Sequence, residues 1–364
     1  MSHTESRREH LSRIVAEGLD KLATLDFHGR GIVKPIYGAA RARQGGEPLT
    51  YLFSRDLAGH CEKGRAIAIA TGFMIRKAGE PETDGLTGTA YLAYVLSRGL
   101  GLFPVVICEK GAAEAARASV KATGLEEYEL PGGMCGNAVL GQGRFAVVPF
   151  PAQGDACSEE GQAASMETLL SLDPCAFVTI ERPGKNAKGI PHTTFGAAMG
   201  DISADIDAVL EKFKATGKMT FAIGDMGNEL GMGLVEDVVE EITPYGKVCS
   251  CGCGGGVAAA AKADRVMMGS ISDDACYAIG AALAERLGRT DLLPEAGLIE
   301  RSLKEAVSAG AVDGITAENG LSIDMVPWKA HRALIELIRE LVLKSHAHDS
   351  ARPQFIDTLT QLKS

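Results

Sequence analysis

The sequence predicts an α/β fold, a doubly wound and mostly parallel sheet with helical appendages at the N- and C-termini. Two observations carry the expectation: from residue 65 onward short apolar runs alternate with stretches of helical periodicity, and polar, glycine-bearing turns follow several of those runs. The first element is a helix over residues 11–22, where apolar side chains recur at helical spacing. Strands are expected near 65–71, 103–108, 144–149, 175–181, 218–224 and 264–270. Helical patterns fall near 86–98, 111–123, 162–172 and 203–216, with another at 273–287. After residue 290 the pattern turns helical again, over 298–309 and 329–343, with Asp313-Gly314 and Pro327-Trp328 in the loop between. The organisation read from this is an N-terminal helical extension over 1–60, an α/β domain over 61–290, and a C-terminal helical appendage over 291–364, packed on the same domain and serving packing or oligomerisation.

Composition narrows the function. A formal charge of −10 and an aromatic content of 5% argue against a nucleic-acid groove, which needs clustered Lys/Arg and stacking rings. The expected partners are a small-molecule substrate and other copies of the chain. The first ten residues are charged, with no hydrophobic signal region, and no run approaches ~20 apolar residues. A cytoplasmic protein without membrane contact is expected, and its nine cysteines read as reduced thiols. Cys249, Cys251 and Cys253 alternate, so on a strand they share a face. They suit a soft metal, an iron–sulfur cluster or a small-residue core, and the spacing favours the core, since zinc ligands are usually C-x₂-C or wider. His346-Ala347-His348-Asp349 reads as a solvated tail, and residues 130–143 as either a lid or a tight loop.

The chemistry concentrates in three turns. Residues 223–233 place Gly224, Gly227, Gly231 and Gly233 around Asp225, Asn228 and Glu229, crowding backbone N–H groups and side-chain oxygens into one turn. A turn that only reversed direction would need no cluster of carboxylates. After the first strand come Thr71-Gly72-Phe73 and then Glu82-Thr83-Asp84-Gly85, opening a helix; one of the two acids suffices as an N-cap. The third turn, Glu181-Arg182-Pro183-Gly184, sets an acid and a base at a strand end, where they can also pair with each other. Since ligands of doubly wound sheets bind outside the carboxyl ends of the strands, the three turns are expected to share one cleft.

These motifs, in this order and spacing over roughly residues 30–290, resemble the D-glutamate cyclase-like C-terminal domain family. Where that family commonly shows a Ser-Asn-Trp-Gly-like run, this chain has Ser272-Asp273-Asp274-Ala275, and its single tryptophan is Trp328. The resemblance implies a hydro-lyase that interconverts D-glutamate, or a related acidic amino acid, with its cyclic lactam 5-oxo-D-proline. Such a reaction needs a base, an acid or metal, and a clamp for a carboxylate. Asp225, Glu229 and Glu82 are the candidate catalytic groups. Arg182 suits the clamp, with Thr71, Gly72, Gly224, Gly227 and Asn228 completing the substrate site. Asp84, Asp225 and Glu229 offer oxygen ligands for Mg²⁺ or Mn²⁺. No G-x-G-x-x-G follows the first strand and no Walker sequence occurs, which disfavours NAD and offers no ATP motif. Two other readings stay open: a Mg-dependent phosphoryl or nucleotide enzyme, and a non-catalytic small-molecule sensor.

Overall fold

The structure, a computed structural model, describes residues 3–130 and 141–351, with side chains over 8–130 and 141–345. The glycine-rich segment 131–140 and the side chains of His346 and His348 lie outside the described residues. Eleven strands are described: β1 Ala66–Ala70, β2 Met74–Ile75, β3 Glu80–Pro81, β4 Phe103–Glu109, β5 Glu126–Glu127, β6 Arg144–Phe150, β7 Ala176–Ile180, β8 Met219–Gly224, β9 Arg265–Met268, β10 Ser322–Ile323 and β11 Val326–Pro327. Seven of them form one all-parallel sheet in the order β5-β6-β4-β1-β7-β8-β9, while β2–β3 and β10–β11 are small antiparallel ladders.

Strand β1 shows why the sheet is buried on both faces. Its Ile67 and Ile69 join one core layer, while Ala66, Ala68 and Ala70 join the opposite one with Phe177, Val209 and Phe213. A central parallel strand covered by helices on both sides is nearly continuous in apolar residues, and β7 and β8 share that property apart from the buried Thr179 and Thr220, whereas β6 and β9, nearer the sheet edges, carry Arg144 and Arg265. The larger core runs continuously from Val15 to Val342. At its centre lies the helix Ser272–Leu287, buried at almost every position, with helices His3–Ala23, Leu49–His60, Leu86–Val95 and Trp328–Ala351 packed around it.

The chain leaves β1 for β4 and β6 on one side, then crosses back to place β7 and β8 on the other. The order therefore reverses between β1 and β7, and a crevice opens at their carboxyl ends. Within residues 1–60, expected to be helical but with only 11–22 singled out, the structure adds helices Val33–Arg43 and Leu49–His60, and helix Glu236–Ile242 was not anticipated. Among the described residues no helix is long and apolar enough to cross a membrane.

Candidate functional site

The three polar turns converge. One oxygen from each of Asp84, Asp225 and Asp324 lies within 4.8 Å of the others, and the same holds for Glu181, Asp225 and Glu229. Asp225, at the end of β8, is common to both groups. The cleft above them has a volume of about 220 Å³, below the roughly 300–1,000 Å³ of drug-sized pockets, and so suits a small metabolite. Its walls include Arg30, Glu82, Glu181, Asp225, Asn228 and Asp324, with Phe73, Phe195 and Tyr245 supplying apolar surface.

Each carboxylate is held by its backbone surroundings. Asp84 Oδ1 accepts from the N–H groups of Gly85 and Asp273 at 2.9 Å, and Oδ2 from Ser272 N at 3.1 Å. Asp273 in return accepts from Gly85 N at 2.9 Å and Gly88 N at 2.7 Å, and pairs with the Thr87 hydroxyl. The helices opening at 86 and 272 thus exchange acidic caps, satisfying N–H groups that helix starts leave without partners. Glu229 folds back on its own turn, Oε1 taking Met226 N at 2.9 Å and Oε2 Gly227 N at 2.7 Å. These N–H groups, expected to face a ligand, are therefore already engaged. Gly224 is required beside them, because a Cβ there would strike the Glu229 carboxylate.

Two further acids arrive with unusual backbone. Glu181 and Asp324 have φ of 41° and 51°, in the left-handed region that costs a non-glycine residue about 1–3 kcal/mol and is most often kept at functional sites. Glu181 accepts from the Ser272 hydroxyl at 2.6 Å. Asp324 comes from the C-terminal loop, which zips onto the 82–83 turn through Thr83 N to Val312 O at 2.8 Å and Thr83 Oγ1 to Ser322 O at 2.9 Å. Asp313 shapes that loop, accepting from Ser322 Oγ and Met325 N, both at 2.7 Å. The segment expected only to pack or oligomerise therefore contributes a wall of the site.

Burial and mutual repulsion govern the titration of this cluster. Desolvation, then the neighbouring carboxylates, raise Glu82, Asp84 and Glu181 well above the ordinary carboxylate range. Burial pushes Asp225 up to about 8 and Asp324 and Asp273 up to about 7. Arg30 opposes the trend, its guanidinium lying 3.1 Å from Asp225 Oδ2 and 3.8 Å from Asp324 Oδ2. Behind the cluster, fully buried His331 sits 2.9 Å from Asp274 Oδ1, and the Asp274 charge helps hold its pKa above the usual imidazole value despite burial.

Arg182, the expected clamp, takes another place. It is fully buried, ion-paired with Glu109, and donates to Gly72 O at 3.2 Å and Ala204 O at 2.9 Å. Its two terminal nitrogens are engaged by the protein while Nε has no protein partner, and it is not part of the cleft wall. Gly72 uses its carbonyl on this arginine, and Thr71 is fully buried without lining the cleft. Asn228 does line it, donating Nδ2 to His192 O at 3.0 Å, while its buried Oδ1 has no protein partner. Among the described residues Arg30 is the cation that lines the cleft. The signal for it was weak but present: Gly29-Arg30-Gly31 is a tight turn, held by Asp26 accepting from Arg30 N at 3.1 Å and Gly31 N at 2.7 Å.

The fold is an α/β protein whose parallel sheet carries an acid-lined cleft at its point of strand reversal, the place where sheets of this class hold their ligands. Residues 19–339 match the family described as D-glutamate cyclase-like, C-terminal, and the chain belongs to that family. The matched stretch takes in Arg30 at one end and Asp324 at the other. Among curated proteins the chain is similar to the mitochondrial D-glutamate cyclase of Homo sapiens, at 26% identity across 46% of this chain and 29% of that protein. The alignment thus spans under a third of the human protein's length.

Proposed function

We propose that the protein is a hydro-lyase that closes D-glutamate, or a close acidic amino acid, to its five-membered lactam and reopens it. The observation that carries the reading is a small cleft whose wall sets Arg30 directly against the carboxyl cluster. Arg30 offers a planar fork for a substrate carboxylate, and the acids receive the amino group. Cyclisation joins the amine nitrogen to the carbon of the γ-carboxyl group and expels one oxygen of that carboxyl group as water. The ammonium gives up two protons over the reaction, both of which leave in that water. Asp225, with a pKa near working pH, accepts a proton from the attacking nitrogen. Glu82, buried and raised, delivers one to the departing oxygen. Glu229, tied to its own turn, holds Asp225 in place and repels its charge. A phosphoryl substrate fits less well, because the lining is dominated by acids.

The cleft wall sets Glu82, Glu181, Asp225 and Asp324 against Arg30, and Asp84 and Glu229 group with Asp225, an excess of oxygen donors that fits a hard cation such as Mg²⁺ or Mn²⁺. Asp84, Asp225 and Asp324, or Glu181, Asp225 and Glu229, would hold it, and when bound it would polarise a carboxylate oxygen. Chiral chromatography of incubations with D- and L-glutamate and both 5-oxoprolines, with and without these cations, tests the reading. Conversion of the D-forms supports it; no conversion in either direction under any condition refutes it.

A further inference from the structure

Cys249, Cys251 and Cys253 lie in a chain of turns and bends and not on a strand. Gly252 and Gly254 have φ of 86° and 75°, a left-handed conformation open to glycine. They wind the chain until the thiols close on one another. Cys249 Sγ is 3.3 Å from Cys251 Sγ and 3.2 Å from Cys253 Sγ. A fourth corner comes from sixty residues earlier, where His192 Nε2 lies 3.1 Å from Cys251 Sγ and 3.7 Å from Cys253 Sγ. All four atoms fall within 4.8 Å of each other. A tetrahedral zinc with Zn–S near 2.3 Å and Zn–N near 2.0 Å sets its ligand atoms roughly 3.5–3.8 Å apart, the scale seen here.

The surroundings orient these atoms as ligands. His192 is fully buried, and its Nδ1 lies 2.8 Å from Ile190 O. A carbonyl only accepts, so Nδ1 carries the hydrogen and Nε2 turns a lone pair toward the sulfurs, the arrangement metal-bound histidines use. Asn186 braces both loops: its Oδ1 accepts from Lys188 N and Ile190 N, and its Nδ2 donates to Gly256 O at 2.7 Å. Packing alone does not account for the cluster, because Cys251 is exposed and Cys253 half-buried.

We propose that His192, Cys249, Cys251 and Cys253 bind one zinc ion in a closed structural site that fixes one wall of the cleft. Four protein ligands complete the tetrahedron and leave no open position, as structural zinc sites do. The link joins the loop carrying Thr193, Thr194 and Phe195 to the loop carrying Tyr245, and all four residues line the cleft. Ser250 N to Gly196 O at 3.1 Å and Asn228 Nδ2 to His192 O at 3.0 Å continue the same bracing.

The test uses the full chain purified under reducing conditions without chelator. Elemental analysis is expected to find a single zinc per chain. After exchange, Co²⁺ is expected to give near-ultraviolet thiolate charge-transfer bands and the intense visible bands of tetrahedral cobalt. Cys251→Ser, an exposed position that should not disturb folding, and Cys253→Ser are expected to lose the ion and the bands, while exposed Cys157→Ser keeps both. Protein that carries no zinc and yields no thiolate band with Co²⁺ overturns the proposal. So does metal retained undiminished in Cys251→Ser, which places it on the carboxylates, or a disulfide among the three cysteines in the reduced preparation. Because the readout is spectroscopic, it stands apart from the cyclase reading.

Discussion

Replacing Arg182 by methionine separates a structural arginine from a substrate clamp. The change keeps the aliphatic stem but removes the pair with Glu109 and the bonds to Gly72 O and Ala204 O. Glu109 would keep only the 3.0 Å bond from Ala204 N to Oε1, at a site almost without solvent. Breaking a buried ion pair from one side costs about 3–5 kcal/mol, because the stranded charge is left uncompensated. That is a large share of the roughly 5–15 kcal/mol that stabilises a typical domain. The assay is urea denaturation of Arg182→Met, Glu109→Gln and the double variant. The expected result is a heavy loss for Arg182→Met and a coupling between the two positions of about 2 kcal/mol or more. If Arg182→Met unfolds at the wild-type urea concentration yet binds D-glutamate or 5-oxo-D-proline weakly, the structural assignment is wrong and Arg182 is the clamp after all.

Arg30→Gln should weaken an acidic ligand about ten- to hundred-fold, since a hydrogen bond to a charged group contributes about 1.5–3 kcal/mol; isothermal calorimetry showing unchanged affinity would remove Arg30 from the binding role. The same variant deletes the charge that restrains Asp225, so the pH profile of turnover should move to higher pH. Asp225→Asn should lower kcat by about a hundred-fold or more, with KM little changed, and the melting temperature should not fall, because a repelling charge is gone. A variant that keeps its kcat would show that another group takes the proton. For stability against pH, Asp225, Asp324 and Asp273 have folded pKa values raised to about 8, 7 and 7. The folded state therefore binds protons that the unfolded state releases near 4, and their contribution is full below that value and lost as pH rises to about 8. His331, also raised, has the same sign. Chelator-treated protein should melt at progressively lower temperature from pH 5 to 8, and a flat or rising melting curve across that window contradicts the buried-carboxyl account.

The sheet was legible because a parallel strand packed on both faces is nearly continuous in apolar residues, and Ala66–Ala70, Ala176–Ile180 and Met219–Gly224 are, with only the buried Thr179 and Thr220 as exceptions. The acids at the strand ends were legible for a related reason: Glu82, Asp84, Asp225, Asn228 and Glu229 interrupt apolar patterns where ligands of such sheets bind. Glu181 stood in the third turn, yet it read as a partner for Arg182. Only the φ of 41° that turns it toward Ser272, with Arg182 led away to Glu109, separates the two.

Local pattern by itself determined the α/β class, six of the seven strands of the main sheet and the acidic turns, since periodicity and turn chemistry act between residues close in the chain, while the short β5 Glu126–Glu127 carries no such pattern. Arg30 meets Asp225 across 195 residues, and Asp324 reaches the cleft only because its loop pairs with the 82–83 turn. His192 joins the cysteines across 59 residues. Alternating Cys249, Cys251 and Cys253 suggested a strand face, but the glycines between them bend the chain into a knot that a two-residue period does not describe. Tertiary structure decided which charges share a desolvated space. That proximity sets the pKa values, the place of Arg30 in the cleft and the ligand sets, and it arises from contacts that neighbouring residues do not encode.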